Sequence, residues 1–564
     1  MSNSDTKQRR SATLDKLASQ SFDLLIIGGG ITGAGVARDA ALRGLKVALV
    51  EKDDFASGTS SRSSKLVHGG LRYLEHAQFR LVFEGTNERA LLMRVAPHLV
   101  RPIQFLVPTY KREGPGLFVL DVGLWIYDAL SKFSSPQLHR TLRARRVNRL
   151  EPGLRVDGLQ GGIVYYDCMT DDARLTIENI IDAEALSAVT ANHVRASRLL
   201  KDGDRVVGAE LQDELGGRAP FPCKARVVVS ATGPWTDELR QMLGEKPVLA
   251  TSKGIHLVVD GARLPLRHAI VMKEKRRVVF AIPWGDRSVV GTTDTFYDGK
   301  PEACAADAND VEYLLAIANR YFPSARLTAS DVLATWAGIR PLLRPPEDSA
   351  SASDVSREHT LFEQPGLVMI AGGKLTTYRR MAAEVVNASV KQLDQSIASR
   401  TADRPLPGGA GLSDQASVDA LAEALLADLN AGTTATAAKD PLVATNLART
   451  YGARATSVVE RIRKQPALGE RLEPELPYLL AQIDVAVEEE QAVTVDDVLS
   501  RRVPLLLRSR DQGLAAAEKV AARMQTLLGW SDADRQRSLD EYRATVALSR
   551  QFRAPAELAR SVRS

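Results

Sequence analysis

The chain has few cysteines and little net charge, and each shortage argues against a class of protein. Its three cysteines, Cys168, Cys223 and Cys304, have the spacing of neither a zinc site nor a disulfide framework. We therefore expect three reduced thiols and no bound metal. A net charge of +5 on 564 residues is too small to indicate a nucleic-acid-binding protein.

Long apolar runs are also missing. No stretch reaches the roughly 18 apolar residues of a membrane-spanning helix, and residues 1–20 lack the apolar core of a secretory signal. The sequence therefore predicts a cytoplasmic protein whose contact with a membrane is peripheral. Residues 1–20 are interpreted as a polar extension, disordered or loosely helical, without an assigned role.

Residues 22–51 have the pattern of a dinucleotide-binding unit. The apolar strand FDLLII precedes Gly28, Gly30 and Gly33 in G-x-G-x-x-G spacing, and a second strand ends at Glu51. The first glycine allows a tight turn, the second lets the backbone approach a pyrophosphate, and the third lets the helix pack on the strand. Glu51 stands where a carboxylate accepts hydrogen bonds from a ribose. We predict a bound dinucleotide here.

The residues that follow favour FAD over a nicotinamide nucleotide. A Ser/Gly-rich segment, residues 57–64, replaces a second βα repeat and can donate hydrogen bonds to a diphosphate. Two later junctions, at Gly233 and Gly373, add small-residue turns after apolar strands. His68 is placed near the flavin ring. The predicted cofactor-binding residues are Gly28, Gly30, Gly33, Glu51, Thr59, Ser60, Ser64, His68, Gly233, Gly373, Leu375 and Thr376.

The fold class is predicted as α/β (α+β), with a Rossmann-like FAD-binding domain. Closely spaced strands between residues 250 and 345 predict an antiparallel substrate-domain sheet. Beyond a Pro/Gly-rich linker, 3.6-residue apolar spacing predicts a helical domain. The predicted parts are extension 1–20, FAD-binding domain mainly 21–249 completed by 364–403, β-domain mainly 250–363, linker 404–411 and helical domain 412–564.

A series of short motifs occurs in a characteristic order: GGGITGAG, SSKLVHGGLRYLE, DDARL, ATGPW, SKGIH, IPW, GTTD, GIRPL, SREHT and GGKLTTYR. Through them, residues from about 20 to 560 resemble the FAD-dependent glycerol-3-phosphate dehydrogenase family. The resemblance implies a D-amino-acid-oxidase-like fold with a helical cap domain. It also implies oxidation of sn-glycerol 3-phosphate to dihydroxyacetone phosphate by hydride transfer from C2 to FAD. Electrons would pass to a membrane quinone, ubiquinone or menaquinone, or to O₂ in related oxidases.

The same resemblance assigns the substrate site. Arginine suits a phosphate dianion because its planar fork binds two oxygens and keeps its charge. His256 is the implied base, since an imidazole accepts a proton near neutral pH, and Arg340 would polarise the C2 oxygen. His68 is the competing base, and a core histidine remains the alternative for His256. The implied substrate-binding residues are Arg72, Tyr73, Arg340, Arg357 and Lys374.

A membrane contact is predicted at residues 116–133, which are mostly apolar with a narrow polar stripe of Asp121, Asp128 and Lys132. An apolar helix beside an arginine cluster suits anionic lipid; a core helix followed by a solvated loop is the alternative. With the resemblance, we expect a peripheral enzyme on the inner face of the cell membrane. The arginines are Arg140, Arg143, Arg145, Arg146 and Arg149.

Other functions stay open at this point. A glycerol-3-phosphate oxidase using O₂ would need the same motifs. A relative that oxidises an amine or amino acid would need a carboxylate clamp but not several basic residues around a phosphate. A non-catalytic flavoprotein with a regulatory or scaffolding role is the third alternative. The sequence does not decide the oligomeric state, and a homodimer is an open alternative.

Overall fold

The computed structural model describes residues 3–71, 78–114, 116–131, 137–274, 277–344, 358–432 and 434–553. Four residues singled out from the sequence, Arg72, Tyr73, Lys132 and Arg357, lie outside these ranges.

The strands form two sheets. In chain order they are β1 Ser21–Ile27, β2 Val47–Val50, β3 Leu66–Val67, β4 Arg101–Tyr110, β5 Arg140–Arg143, β6 Leu159–Met169, β7 Val189–Ala191, β8 Val194–Asp202, β9 Arg205–Asp213, β10 Phe221–Ser230, β11 Leu249–Asp260, β12 Ala269–Glu274, β13 Arg277–Trp284, β14 Arg287–Gly291, β15 Thr295–Phe296, β16 Val332–Leu343, β17 His359–Gln364 and β18 Leu367–Gly372.

The helices include both short connections and a long C-terminal series. In chain order they are α1 Asn3–Ser19, α2 Ile31–Leu42, α3 Phe79–Val95, α4 Leu117–Leu130, α5 Ala144–Leu150, α6 Asp172–Ala185, α7 Thr236–Met242, α8 Ala308–Tyr321, α9 Tyr378–Lys391, α10 Gln415–Gly432, α11 Pro441–Tyr451, α12 Ala455–Lys464, α13 Ala481–Glu488, α14 Val495–Asp497, α15 Leu505–Arg508, α16 Leu514–Leu528 and α17 Asp532–Ser549.

The first sheet has a parallel centre in the order β18-β10-β1-β2-β7, extended by antiparallel β17 at one edge and by the β8–β9 hairpin. Ile27 at the end of β1 is paired with Ser230 of β10 and with Val50 of β2. The carboxyl ends of these strands therefore meet at one edge of the sheet. In open α/β sheets, this is the edge where ligands bind.

The second sheet is mixed, mostly antiparallel, and contains the strands predicted for the substrate domain. The long ladder between β11 and β16 places Ser252 opposite Arg340 and His256 opposite Trp336. On its other side, β11 pairs with β14, so that His256 also lies beside Gly291. The sequence predicted strands here, but β4 and β6, which come from residues 101–169, also belong to this sheet.

The N-terminal extension is an ordered helix. Leu14 and Leu17 of α1 are buried in a core that also contains Phe22 of β1. Arg10 forms an ion pair with Asp213 at 2.6 Å. The interpretation of residues 1–20 as a disordered or loosely helical extension did not anticipate this docking, because two leucines three positions apart are a weak signal in a polar segment.

The helical part from α10 onward is joined to the first sheet by buried ion pairs. Asp54 at the end of the dinucleotide-binding unit pairs with Arg501 and Arg502, and Arg174 of α6 pairs with Glu490 at 2.6 Å. Asp54 also lies near His193 and Asp497, but the arginines already occupy its carboxylate. A buried pair is costly to break, because the partner left behind is a desolvated charge.

Candidate active site

The predicted dinucleotide turn lies between the first sheet and the start of α2. Gly28 has φ of +110°, and a Cβ there would lie 2.6 Å from the carbonyl oxygen of Ala231. A Cβ on Gly33 would lie 1.9 Å from the carbonyl oxygen of Gly28. The turn therefore accepts only glycine at both positions, and it brings the backbone to the place where a pyrophosphate would lie.

Glu51 closes this turn from the end of β2. Its carboxylate accepts backbone N–H bonds from Gly29 at 2.7 Å and from Asp53 at 3.0 Å. Burial raises the pKa of Glu51, and the two backbone bonds counteract part of that rise. A partly buried acceptor at this edge fits the ribose of a dinucleotide.

The Ser/Gly-rich segment joins the turn to the second sheet. The Ser60 hydroxyl accepts the N–H of Ile31 at 2.8 Å, at the start of α2. The Thr59 hydroxyl donates to the carbonyl of Ile339 at 2.6 Å. Ser64 is hydrogen-bonded to His256. The segment therefore connects the predicted cofactor turn of the first sheet with His256, the predicted base, on the second sheet.

The junction after β18, which contains Gly373, is hydrogen-bonded to the segment that contains His68. The Thr376 hydroxyl accepts the N–H of His68 at 3.2 Å and donates to the His68 carbonyl at 3.3 Å. Leu375 and Lys374 follow Gly373 directly at the end of β18, and Gly233 follows β10 at the same edge. These contacts fit a dinucleotide lying along the carboxyl edge, with His68 near its far end.

His256 is buried on β11 and held on two sides. Its Nε2 is 2.8 Å from the Ser64 hydroxyl oxygen. Its ring stacks on Trp336, with centroids 4.7 Å apart and an interplanar angle of 11°. Its Nδ1 has no hydrogen-bond partner among the described residues. Gly291 makes the packing feasible, because a Cβ there would lie 2.2 Å from His256 Cδ2.

The electrostatic surroundings keep this imidazole neutral. Burial lowers the pKa of His256 well below its ordinary value, and the charges of Arg340 and Lys65 lower it further. A neutral imidazole can accept a proton, whereas an imidazolium cannot. The predicted base is therefore in its uncharged form at neutral pH.

Arg340 lies near His256 on the neighbouring strand. Its guanidinium donates to the Ser252 hydroxyl and the Thr292 hydroxyl, and it forms an ion pair with Asp294 at 3.2 Å. Gly254 leaves room for it, since a Cβ there would lie 2.5 Å from Arg340 Nη2. These contacts fix the Arg340 cation in place, and 22% of its side chain is exposed to solvent.

Comparisons with known proteins agree with this geometry. The sequence profile of the FAD-dependent oxidoreductase (DAO) family matches residues 23–379. The profile of the C-terminal domain of alpha-glycerophosphate oxidase matches residues 399–535. A glycerol-3-phosphate dehydrogenase from Mycobacterium leprae is 37% identical over 547 residues, 96% of this chain and 90% of that protein. An aerobic glycerol-3-phosphate dehydrogenase from Staphylococcus saprophyticus is 35% identical over 94% of this chain and 95% of its own length.

The chain belongs to the FAD-dependent glycerol-3-phosphate dehydrogenase family. A solved structure supports this: the Bacillus halodurans glycerol-3-phosphate dehydrogenase complexed with FAD is 34% identical, with a TM-score of 0.79, over 98% of this chain and 99% of that one. FAD is therefore the cofactor, and the predicted D-amino-acid-oxidase-like fold with a C-terminal helical domain is confirmed.

For this member of the family, the structure adds a stack of side chains that sequence reasoning missed. Behind His256, Trp336 packs edge-to-face with Trp284 at 6.4 Å, and Arg508 lies 5.6 Å from the Trp284 ring centroid. Arg508 comes from α15, so the helical part reaches the back of the site. Trp284 and Trp336 lie in or beside the motifs IPW and GIRPL, but no spacing indicated that they meet.

A cavity of about 490 Å³ between α1, α13 and α17 contains none of the predicted site residues. Its walls include Arg10, Asn192, Trp530 and Glu541. This cavity is therefore not the candidate active site. The candidate site is identified by its side-chain chemistry and by its position at the carboxyl edge of the first sheet.

Proposed function

We propose that this enzyme oxidises sn-glycerol 3-phosphate at C2 to dihydroxyacetone phosphate. The observation that carries the proposal is a neutral, buried His256 near the fixed cation Arg340, at the end of the segment that starts from the dinucleotide turn. The glycerol-3-phosphate dehydrogenases to which the chain is similar support this choice of substrate.

The residues divide the chemistry between them. The C2–H bond breaks with its electron pair, and the C2 hydroxyl loses its proton, so that a C=O bond forms. FAD, when bound, supplies the acceptor for that electron pair. His256 takes the hydroxyl proton, and its Nδ1 is the nitrogen without a partner among the described residues.

Two cations hold the anionic substrate in this proposal. Arg340 lies against the C2 oxygen, where its charge favours loss of the proton. Lys374, at the Gly373 junction of the first sheet, binds the phosphate. Arg72, Arg357 and Tyr73 stay predicted substrate ligands, since they lie outside the described residues.

The substrate proposal is tested by anaerobic mixing of the FAD-bound enzyme with sn-glycerol 3-phosphate. We expect the flavin absorbance near 450 nm to bleach. Glycerol at the same concentration is the matched control, because it has the C2 alcohol but no phosphate for the cations. No bleaching by the phosphate ester, or equal bleaching by glycerol, would contradict the proposal.

We assign a membrane quinone as the electron acceptor, because one surface suits a bilayer. On α4, five large apolar side chains lie on one face and are exposed; Phe118 is 79% exposed and Trp125 51%. Two residues of the polar stripe bind neighbouring segments of the protein: the buried Asp128 binds His139 at 2.7 Å, and Asp121 accepts a hydrogen bond from Thr141. The exposed face consists of Phe118, Val119, Val122, Trp125 and Ile126.

Neighbouring residues extend this surface. Phe79 and Phe83 of α3 are also exposed, and so are the predicted arginines at 140, 143, 145, 146 and 149. An apolar face beside cations is suited to the interface of an anionic bilayer. No described helix is both long and apolar enough to span that bilayer, so the proposed contact is peripheral.

Co-sedimentation with anionic phospholipid vesicles tests the membrane surface. Val119→Ser should weaken binding about tenfold, because burying a valine side chain contributes roughly 1.5 kcal/mol. Val156→Ser is the matched control, since Val119 and Val156 are both 61% exposed and Val156 lies elsewhere. Equal binding by the two variants would contradict the assignment.

The acceptor is tested separately. After anaerobic reduction, a soluble quinone analogue should reoxidise the flavin rapidly, and O₂ should do so slowly with little peroxide. Fast peroxide formation without added quinone would instead favour the oxidase alternative. Neither result alters the substrate assignment.

A further inference from the structure

Lys65 lies behind the stacked ring of His256 and has no role in the chemistry described so far. Its Nζ binds Asp172 Oδ1 at 2.6 Å and lies 5.6 Å from the Trp336 ring centroid and 6.0 Å from that of Trp284. Its φ is +55°, a conformation uncommon for a side chain other than Asn, Asp or Gly. Such strain at a site is typical of residues held for function.

The neighbours of Lys65 fix the tryptophan at a second point. Ser63 donates its N–H and its hydroxyl to Asp172 Oδ2, at 3.1 and 2.7 Å. The indole Nε1 of Trp336 donates to the Ser63 carbonyl at 3.1 Å. The ring on which His256 stacks is therefore held at its edge by Ser63 and faced by the Lys65 cation.

The next residue, Ser64, reaches the imidazole itself. When Nε2–H of His256 donates to the Ser64 hydroxyl at 2.8 Å, Nδ1 carries the lone pair. Consecutive residues 63, 64 and 65 thus contact the indole edge, the imidazole and the indole face. One short segment controls both the orientation and the charge surroundings of the base.

We propose that Lys65 is a positioning residue for His256: bound to Asp172 and lying over Trp336, it fixes the ring on which the imidazole stacks and places a cation behind that ring. This inference rests on the function proposed above, in which His256 accepts the C2 hydroxyl proton. It deepens that function by assigning the residue that prepares the base.

Charge balance supports the assignment. The cations that act on His256 are Lys65 and Arg340, and both lower its pKa in addition to burial. Each has its own carboxylate: Asp172, with Asp171 nearby, for Lys65, and Asp294 for Arg340. Arg508 adds positive charge behind Trp284. A weakly basic imidazole suffices, because the ketone formed at C2 holds a proton very weakly.

The test measures flavin reduction against pH in three FAD-bound variants. Lys65→Met removes the cation, Lys65→Arg keeps it, and the double variant Lys65→Met/Asp172→Asn removes the cation without leaving a buried unpaired carboxylate. We expect the acidic limb of the reduction rate to move upward by about one pH unit in Lys65→Met and in the double variant. Lys65→Arg should stay close to the wild-type profile.

A second readout needs no turnover. In ¹⁵N-histidine-labelled holoenzyme, which contains 8 histidines, the His256 signal is assigned by its loss in His256→Asn, and its nitrogen shifts report protonation directly. We expect His256 to titrate at a higher pH in the double variant than in wild type. Unchanged titration in both Lys65→Met and the double variant would overturn the proposal.

The two proposals fail in different ways. If sn-glycerol 3-phosphate does not reduce wild-type flavin, the proposed function fails, while the NMR titration still measures the effect of Lys65 on His256. If wild type is reduced, a rate that falls equally at every pH in both charge-removing variants would show a merely structural role and overturn the Lys65 proposal alone.

Discussion

The predicted cofactor region and the proposed substrate region of this enzyme are built in opposite ways. The dinucleotide turn uses the backbone: a Cβ on Gly28 or Gly33 would lie only 2.6 or 1.9 Å from a backbone carbonyl oxygen, so neither position has room for a side chain. The substrate region uses side chains from distant parts of the chain, with His256 on β11 held by Ser64 and Trp336. Substitutions in the first region should therefore abolish FAD binding, whereas substitutions in the second region should slow substrate oxidation and leave FAD bound.

The largest effect is expected at the turn. Gly33→Ala should yield protein that lacks FAD, because the new methyl group would collide with the Gly28 carbonyl and push α2 away from β1. Gly123→Ala is the matched control, since nothing lies within 4 Å of a Cβ at that position. Flavin absorbance per protein measures the result; normal FAD content in Gly33→Ala would contradict the backbone account.

A smaller but specific effect is expected at Arg340. Arg340→Gln removes the charge but keeps a donor, and the lost charge-assisted hydrogen bonds should cost about 2 kcal/mol, or roughly 30-fold in kcat/KM. FAD content should stay normal. Arg340→Lys should recover part of the rate, because the charge remains while the planar fork is lost. Loss of FAD in Arg340→Gln would place this residue in the cofactor region instead.

The pH dependence of flavin reduction tests the proposed substrate region separately from the cofactor region. Because the pKa of His256 is lowered in the folded enzyme, the imidazole stays neutral through the neutral range. Flavin reduction should therefore lose rate only as pH falls through that lowered pKa. The same shift makes the unfolded state bind more protons below about 6.5, so stability should fall as pH drops below that value. A reduction rate with an acidic limb above pH 6.5 would contradict a neutral buried base.

The smallest effect is expected where the two regions meet. Thr59→Val removes the hydroxyl that donates to Ile339 at 2.6 Å, and it should lower the free energy of unfolding by about 1 kcal/mol. Thr526→Val is the control, because the Thr526 hydroxyl is exposed on α16 and bonds only within its helix. Equal stability losses in denaturant titrations would show that the contact between the regions contributes nothing particular.

The same contrast explains what could be predicted from the sequence. The turn at residues 28–33 and Glu51 lie within one continuous unit, so their spacing alone predicted the dinucleotide. The choice of FAD and the predicted substrate residues depended on family motifs spread over the chain. Their physical basis, the β11–β16 ladder that brings His256 and Arg340 together, is a long-range pairing that no local pattern indicates.

Other features needed the structure for the same reason. Lys65 stands in a serine-rich motif next to Ser64, where its sequence neighbours suggest cofactor contact, yet its partners are Asp172 and Trp336. Arg508 and Arg501, which pairs with Asp54 of the dinucleotide-binding unit, come from the helical part, whose periodicity indicated no chemistry. Side chains that meet across such distances become visible only once the sheets are assembled.

The most direct test of the account is single-turnover reduction of His256→Asn by sn-glycerol 3-phosphate, measured anaerobically on a sample whose bound FAD is quantified. We predict full FAD content together with a reduction rate at least about 100-fold below wild type, because a positioned general base contributes at least that much. Full FAD content with a near-normal reduction rate would contradict the central claim that chemistry resides in the side chains of the second sheet.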